Sequence, residues 1–309
     1  MEYLVGTGGW AYFQISGFHP LVAYSKAFNF VEVNSTFYHI PPLKQVEKWR
    51  RTVPPDFQFT VRAHKTITHK HYFQPTPEAL EAFEKLLEIC KTLRAEIIHL
   101  QTPPSLKMEQ TSIKNLRDLL SSLTLGKTRV ALETRGMSSS KLPSKLVKTM
   151  EDHRIIHCVD LLKDDVPAHE SDILYSRLFG KGNHNIYQPT DMELKEIDRK
   201  TTSGQFEKIV LSFHSIKMYK DAARLEVYKQ TGKFPRITKS TGLTSLKQVL
   251  REDTKFPSEK QQLIQSQGWK LFDLTSEKRI HAGHLLQKLP EKTFNNIDEV
   301  IQTLQSIMM

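Results

Sequence analysis

Residues 30–38 read Phe-Val-Glu-Val-Asn-Ser-Thr-Phe-Tyr. Phe30 to Asn34 has the short, β-branched and aromatic character of a buried strand. It nevertheless carries an acid, Glu32, inside it and an amide, Asn34, at its end. An unpaired charge in such a run costs several kcal/mol and is kept only with a partner. The run is therefore read as a strand that delivers polar groups to a shared site.

Seven further runs of this kind lie along the chain: Tyr3 to Gly6, Phe57 to Val61, Glu96 to Leu100, Arg129 to Glu133, Ile155 to Asp160, Ile173 to Leu178 and Lys208 to Phe213. Between them lie stretches with helical spacing. The clearest is Pro77 to Leu93; the others are Lys44 to Arg51, Ser112 to Leu123, Ser144 to Asp152, Asp191 to Lys200 and Ile216 to Tyr228. The link Leu161 to Asp172 is too short and polar for a full helix. Eight strands alternating with helices predict an α/β fold, a TIM-barrel-like (β/α) barrel, over residues 1–230. A dinucleotide-binding open sheet is disfavoured, because Gly6-Thr7-Gly8-Gly9-Trp10 lacks the third glycine of that fingerprint and runs into aromatics. Residues 231–309 read as a C-terminal helical extension, with helical patterns at Ser245 to Arg251, Ser258 to Gln267, Ile280 to Lys288 and Ile297 to Ile307.

A barrel of this kind gathers its functional groups where strands end. The strands finish at Thr7 and Gly8, at Glu32 and Asn34, at Arg62 with Lys65 close behind, at Gln101, at Glu133 and Arg135, at Asp160, at Arg177, and at Ser212 and His214. Each of the eight ends thus offers a polar or ionisable group to a common mouth.

The 309 residues are 39% hydrophobic and 25% charged, enough for a full core and unlike a disordered or fibrous chain. With 44 Lys+Arg against 34 Asp+Glu the net charge is +10, which favours an anionic partner. The excess is diffuse: residues 225–309 hold 13 Lys+Arg and 9 Asp+Glu, net +4, leaving +6 for residues 1–224. The two cysteines, Cys90 and Cys158, exclude a disulfide framework and fit a reducing compartment. With no signal-like start and no run of about 18 apolar residues, a soluble cytoplasmic protein without membrane contact is expected.

The order of Gly6-Thr7-Gly8-Gly9-Trp10, residues 30–38, Trp49, Phe57 to Arg62 with Ile67-Thr68-His69, Leu100 to Pro104, Glu133-Thr134-Arg135, Tyr175 to Leu178 and Asp221-Ala222 resembles the YecE-like family, also called domain of unknown function 72. The resemblance covers roughly residues 3–225 and implies a TIM-barrel-like fold with a pocket at the strand ends. It implies no established reaction. Two positions depart from the family pattern: Phe179 replaces a histidine in R-L-H-G, and His214-Ser215 stands where relatives show two asparagines.

Glu32, Glu133 and Asp160 are the candidate catalytic carboxylates, suited to acid and base chemistry such as phosphoester hydrolysis. Alternatively Glu133 pairs with Arg135 or Arg177 as an ion pair lining the rim. Candidate ligand-binding residues are Trp10, Asn34, Tyr38, Arg62, Lys65, His69, Gln101, Arg135, Arg177 and His214. Arg62, Lys65, Arg135 and Arg177 outnumber the three acids, which points to an anion, especially phosphate. Trp10, Tyr12, Phe13, Phe37, Tyr38 and Trp49 offer surfaces for stacking a base, so the expected partner is an anionic small molecule, a nucleotide or nucleic acid. A non-catalytic nucleic-acid-binding or assembly protein and an enzyme of phosphorylated sugars are the alternatives. For a divalent metal, His69, His71, His214, Glu32, Glu133 and Asp160 supply ligand types but no spacing motif. Gly180-Lys181-Gly182-Asn183 is either a simple loop or a phosphate cradle.

Overall fold

The computed structural model describes residues 1–163, 166–182 and 185–308, and the chain divides into two compact units. One comprises Met1–Leu178 and Asp198–His214, the other Phe179–Ile197 and the chain from Ser215 onward.

The first unit holds eight parallel strands: β1 (Glu2–Thr7), β2 (Phe30–Val33), β3 (Gln58–Arg62), β4 (Ile97–Gln101), β5 (Arg129–Glu133), β6 (Ile156–His157), β7 (Ile173–Leu178) and β8 (Lys208–Phe213). Their order is β6-β5-β4-β3-β2-β1-β8-β7, and a parallel bridge between Val159 and Ser176 joins the two ends of this row. The strands thus form a nearly closed TIM-type barrel. The sixth strand is shorter than its apolar run, because beyond Cys158, whose N–H still donates to Leu132 O of β5 at 2.9 Å, the chain turns to β7, with Val159 N–H donating to Tyr175 O at 3.2 Å.

Side chains of a strand alternate between faces, so every second residue points into the barrel. Leu4, Phe30, Ile97, Ala131, Ile156, Ile173 and Val210 form one buried cluster. Two residues further along their strands come Gly6, Glu32, His99, Glu133, Cys158, Tyr175 and Ser212. The interior therefore changes from hydrocarbon to polar within one layer.

Helices α1 (Pro20–Ala27), α2 (Leu43–Thr52), α3 (Pro77–Leu93), α4 (Gln110–Ser121), α5 (Ser144–Asp152) and α6 (Asp191–Thr202) connect the strands. In α3 the Thr76 hydroxyl accepts from Ala79 N–H at 3.3 Å, and Arg94, at φ 58°, ends the helix. Its buried stripe is Ala79, Ala82, Phe83, Leu86, Ile89, Cys90 and Leu93. Helix α1 is not legible from periodicity, yet it carries Tyr24, whose buried hydroxyl accepts from Thr7 N–H at 2.9 Å and donates to Phe30 O at 2.8 Å. Between β6 and β7 no helix occurs among the described residues; Asp164 and Asp165 lie outside them.

The second unit contains α7 (Met218–Thr231), α8 (Gly242–Leu250), α9 (Lys260–Gln267), α10 (Gly283–Leu286) and α11 (Ile297–Met308). Leu246, Leu250, Leu263, Phe272, Leu286, Phe294, Val300 and Leu304 build its core. Besides these helices it has two short antiparallel pairs, β9 (Ser258–Glu259) with β12 (Thr293–Phe294) and β10 (Leu271–Asp273) with β11 (Arg279–His281). Ile280 and His281, expected to start a helix, are strand residues. In the glycine-rich loop Lys181 pairs with Glu193 at 2.7 Å; Asn183 lies outside the described residues. Among the described residues no helix is long and apolar enough to cross a membrane.

Candidate functional site at the barrel mouth

Arg177, from the end of β7, is buried at the centre of the polar layer. Its Nε and Nη2 donate to Glu32 Oε2 and Oε1, both at 3.0 Å, a bidentate pair. Its Nη1 donates to Glu133 Oε2 at 2.5 Å and to Gln101 Oε1 at 2.9 Å. Tyr175 donates to Glu32 Oε2 at 2.8 Å, and Thr60 lies 2.9 Å from the Tyr175 hydroxyl. Burial would raise the carboxyl pKa values, but Arg177, with His214 at Glu32 and His99 at Glu133, holds both well below the usual range. Burial likewise opposes the Arg177 charge, and Glu32 and Glu133 outweigh it and push that pKa up. The rim ion pair left open by the sequence is thus formed, and Glu133 has both arginines, Arg135 Nε donating to Oε1 at 3.1 Å.

This geometry changes the roles expected for two residues. Glu32, expected as an acid or base, is fully buried with both oxygens committed. Arg177, expected to clamp a phosphate, lies beneath the rim and holds carboxylates instead.

Above Arg177 lies a layer nearer solvent. His214 Nε2 lies 3.2 Å from Arg177 Nε and 3.0 Å from Ser212 Oγ. Burial and Arg177 lower its pKa to about 4, so the ring is neutral at pH 7. The close approach of this ring requires Gly8, where any Cβ would fall 2.2 Å from His214 Cε1. Arg62 donates from Nη1 to Asn34 Oδ1 and from Nη2 to Gln101 Oε1, both at 2.7 Å, and its guanidinium sits 3.9 Å from the Phe37 ring centroid. His69, on a π-helical turn over Thr66–Lys70, packs edge-on against Phe37 at 4.9 Å. Its pKa is lowered by burial, then by Arg62 and Arg135.

The remaining candidates lie at the edge. Asp160 Oδ1 accepts from Leu162 N–H at 3.1 Å, and its Oδ2 lies 3.8 Å from Lys163. Lys65 is exposed, and Trp10 packs edge-on against Trp49 at 5.2 Å. Tyr38 is 66% exposed, its ring against Phe37. The six expected metal ligands do not converge among the described residues, and His71 instead meets Glu78 at 2.9 Å. Sequence reasoning passes over Thr60, His99, Cys158 and Tyr175. Their signal is parity, since each has the inward register of Glu32 or Glu133.

Residues 4–231 match the model of the family described as "Protein of unknown function DUF72". The chain belongs to this family. Among curated relatives, the UPF0759 protein YunF of Bacillus subtilis (strain 168) is 31% identical over 102 residues, which are 31% of this chain and 36% of that protein. The chain thus spans little more than a third of that relative's length. Among solved structures, the DUF72 family protein TM1631 of Thermotoga maritima MSB8 is 20% identical with a TM-score of 0.60, covering 75% of this chain and 100% of that one. The DUF72 family protein EF0366 of Enterococcus faecalis V583 gives 15%, 0.56, 74% and 97%. The 3-keto-D-glucoside 4-epimerase YcjR of E. coli gives 13%, 0.51, 75% and 99%. These structural likenesses bear on the barrel fold and not on its chemistry.

Proposed function

We propose that the open end of the barrel binds a small molecule carrying a phosphate or carboxylate group, with Arg62 as its anchor and Asn34, His69 and Arg135 around it. The observation that carries this reading is the setting of Arg62. Its side chain is buried at 8% exposure, its two bonded nitrogens rest on amide oxygens, and its Nε has no partner. No carboxylate lies within ion-pair distance of it among the described residues. Burial and then Arg177 lower its pKa to about 10, the more distant Glu32 and Glu133 opposing them only in part, so the charge persists at neutral pH with no carboxylate in contact. Buried charges are ordinarily paired, and an anion from solvent supplies the missing partner.

Charge around the mouth favours the same reading. Arg62, Arg135 and Arg177 stand against Glu32 and Glu133, while burial and neighbouring arginines keep His69, His99 and His214 neutral at pH 7. Glu32 and Glu133 are held ionised and have no proton to donate, so neither is suited to serve as a general acid. For a nucleotide, the exposed ring of Tyr38 offers a stacking face.

Calorimetric titration at low ionic strength with inorganic phosphate, a nucleoside monophosphate and a sugar phosphate tests this. Arg62→Gln should weaken binding roughly 10- to 100-fold, the worth of a charge-assisted hydrogen bond. Lys65→Ala should change it less than about 2-fold, as for exposed charges. Wild-type protein that binds none of the three ligands, but binds an oligonucleotide with a steep salt dependence, would replace the small molecule with a nucleic acid strand.

A further inference from the structure

Beneath the arginine layer, His99 on β4, Glu133 at the end of β5 and Cys158 just past β6 bring one nitrogen, one oxygen and one sulfur within 4.8 Å of one another. We propose that these three side chains form a binding site for a divalent cation of the zinc class. The site is distinct from the anion site at Arg62 and does not rest on it.

Two observations meet here. The first is the donor set itself: imidazole, carboxylate and thiol are the ligands of a borderline-soft ion such as Zn2+, whereas hard Mg2+ or Ca2+ prefers oxygen alone. The second is that His99 is fully buried and neither ring nitrogen has a hydrogen-bond partner. Its Nε2 lies 3.3 Å from Glu133 Oε2 but off the axis of a hydrogen bond. Orphaned buried nitrogens are rare in native proteins, and a bound ion is one recognised reason for them. Ligand atoms around a tetrahedral zinc, each at about 2.0–2.3 Å from the metal, stand roughly 3.5 Å apart. The His99–Glu133 separation already matches, and Cys158 needs to close by at most about 1.3 Å from the 4.8 Å limit.

Charge and support agree with the assignment. On binding, the thiol S–H bond breaks, the sulfur lone pair goes to the cation and the proton leaves to water. One thiolate and the Glu133 carboxylate then neutralise a divalent ion, while Arg177 keeps Glu32 as its counter-ion. Arg177 Nη1, donating to Glu133 Oε2, orients the carboxylate from the outer shell. Glu133, at 13% side-chain exposure, marks the entry from the mouth, and three protein ligands leave a fourth position open.

The test uses the full chain, stripped with a chelator and titrated with CoCl2 as a spectroscopic probe and ZnCl2 for stoichiometry. One equivalent of zinc should be retained through dialysis, and cobalt should give a near-ultraviolet thiolate charge-transfer band. Cys158→Ser should abolish that band and weaken retention at least roughly 100-fold, beyond the 10- to 100-fold that loss of an outer-shell partner costs. His99→Gln should weaken retention similarly. Should either variant fail to fold, the wild-type spectrum and stoichiometry still decide. Absence of the band in wild-type protein, or a band that survives in Cys158→Ser and so comes from Cys90, overturns the site. Phosphate titrated into the chelated protein reports on the anion site separately.

Discussion

Each unit buries an arginine between two acids, and Asp221 in the second responds in the opposite direction to Glu32 and Glu133 in the first. In the barrel, Arg177 holds Glu32 and Glu133, whose pKa values are well below the ordinary range. In the C-terminal unit, Arg224 donates to Asp221 Oδ1 at 3.0 Å and Asp191 Oδ1 at 2.7 Å. Yet burial pushes the Asp221 carboxyl up to about 6, and Arg224, Gln188 and Ser215 offset that only in part. The surplus of charge explains the contrast. Three arginines meet two acids at the barrel mouth, whereas Arg224 and Arg279 share Asp191, Asp221 and Asp273. An arginine at hydrogen-bond distance does not by itself fix an acid's ionisation; the balance of the cluster does. The cluster with surplus cation is also the one we propose for an anionic ligand.

The largest expected effect tests that balance. Arg177→Leu leaves the fully buried Glu32 without an arginine and Glu133 with Arg135 alone, and should cost about 3–5 kcal/mol, or prevent folding. Arg224→Leu should cost less, about 1–3 kcal/mol, because Asp191 keeps Arg279 and Asp221 can take up a proton. Urea unfolding at pH 7 followed by tryptophan fluorescence separates the units, since Trp10 and Trp49 report on the barrel and Trp269 on the other. Equal losses in the two variants would end the contrast.

The response to pH comes next in size. His214 falls from its ordinary 6.5 to about 4 on folding, so its contribution is complete above pH 6.5 and is lost as pH drops toward 4. Glu32 and Glu133 extend this loss below about pH 4.5. Asp221 has the opposite sign: raised from 3.8 to about 6, it favours the folded state below pH 3.8, and that benefit is lost as pH rises through 6. Moving from pH 7 to pH 5 should therefore loosen the barrel by about 2 kcal/mol through His214 while tightening the C-terminal unit. Proteolysis of each unit, followed by peptide mapping at the two pH values, should show cleavage rising in one and falling in the other. Parallel changes in both units would contradict the opposite balance of the two clusters.

Much of this contrast is legible in the amino-acid sequence, and what stays hidden there has a common cause. Glu32 stands out because valines flank it, and the need for a buried partner follows. The partner itself, Arg177, lies 145 residues away and is found only through the closure of the barrel. Lys65 and Arg62 look equivalent in sequence, but β3 ends at Arg62, so one faces inward and the other solvent. His99 and Cys158 hide inside apolar runs, where a polar residue reads as part of the strand unless its parity is followed. Helix α1, with eight residues, is too short for periodicity to stand out, and three-residue strands such as β10 cannot alternate visibly.

The smallest effect sharpens the comparison within the C-terminal unit. Glu226, on α7, has no ion-pair or hydrogen-bond partner among the described residues, and burial alone pushes its carboxyl up to about 7. Its ordinary value is 4.5, so the folded state prefers the protonated form, and the penalty for ionising it grows as pH rises from 4.5 through 7. Glu226→Gln keeps the side-chain shape and removes the charge. At pH 4, below the ordinary value, the carboxyl is largely neutral in both the folded and the unfolded chain, and the thermal midpoint should hardly move. At pH 8 the variant should be the more stable by about 1 kcal/mol, a value reduced for solvent screening of a partly exposed group. An equal gain at both pH values would assign the effect to helix propensity or side-chain fit. The prediction for this acid would then fail, while the Asp221 contrast would still depend on the pH experiment.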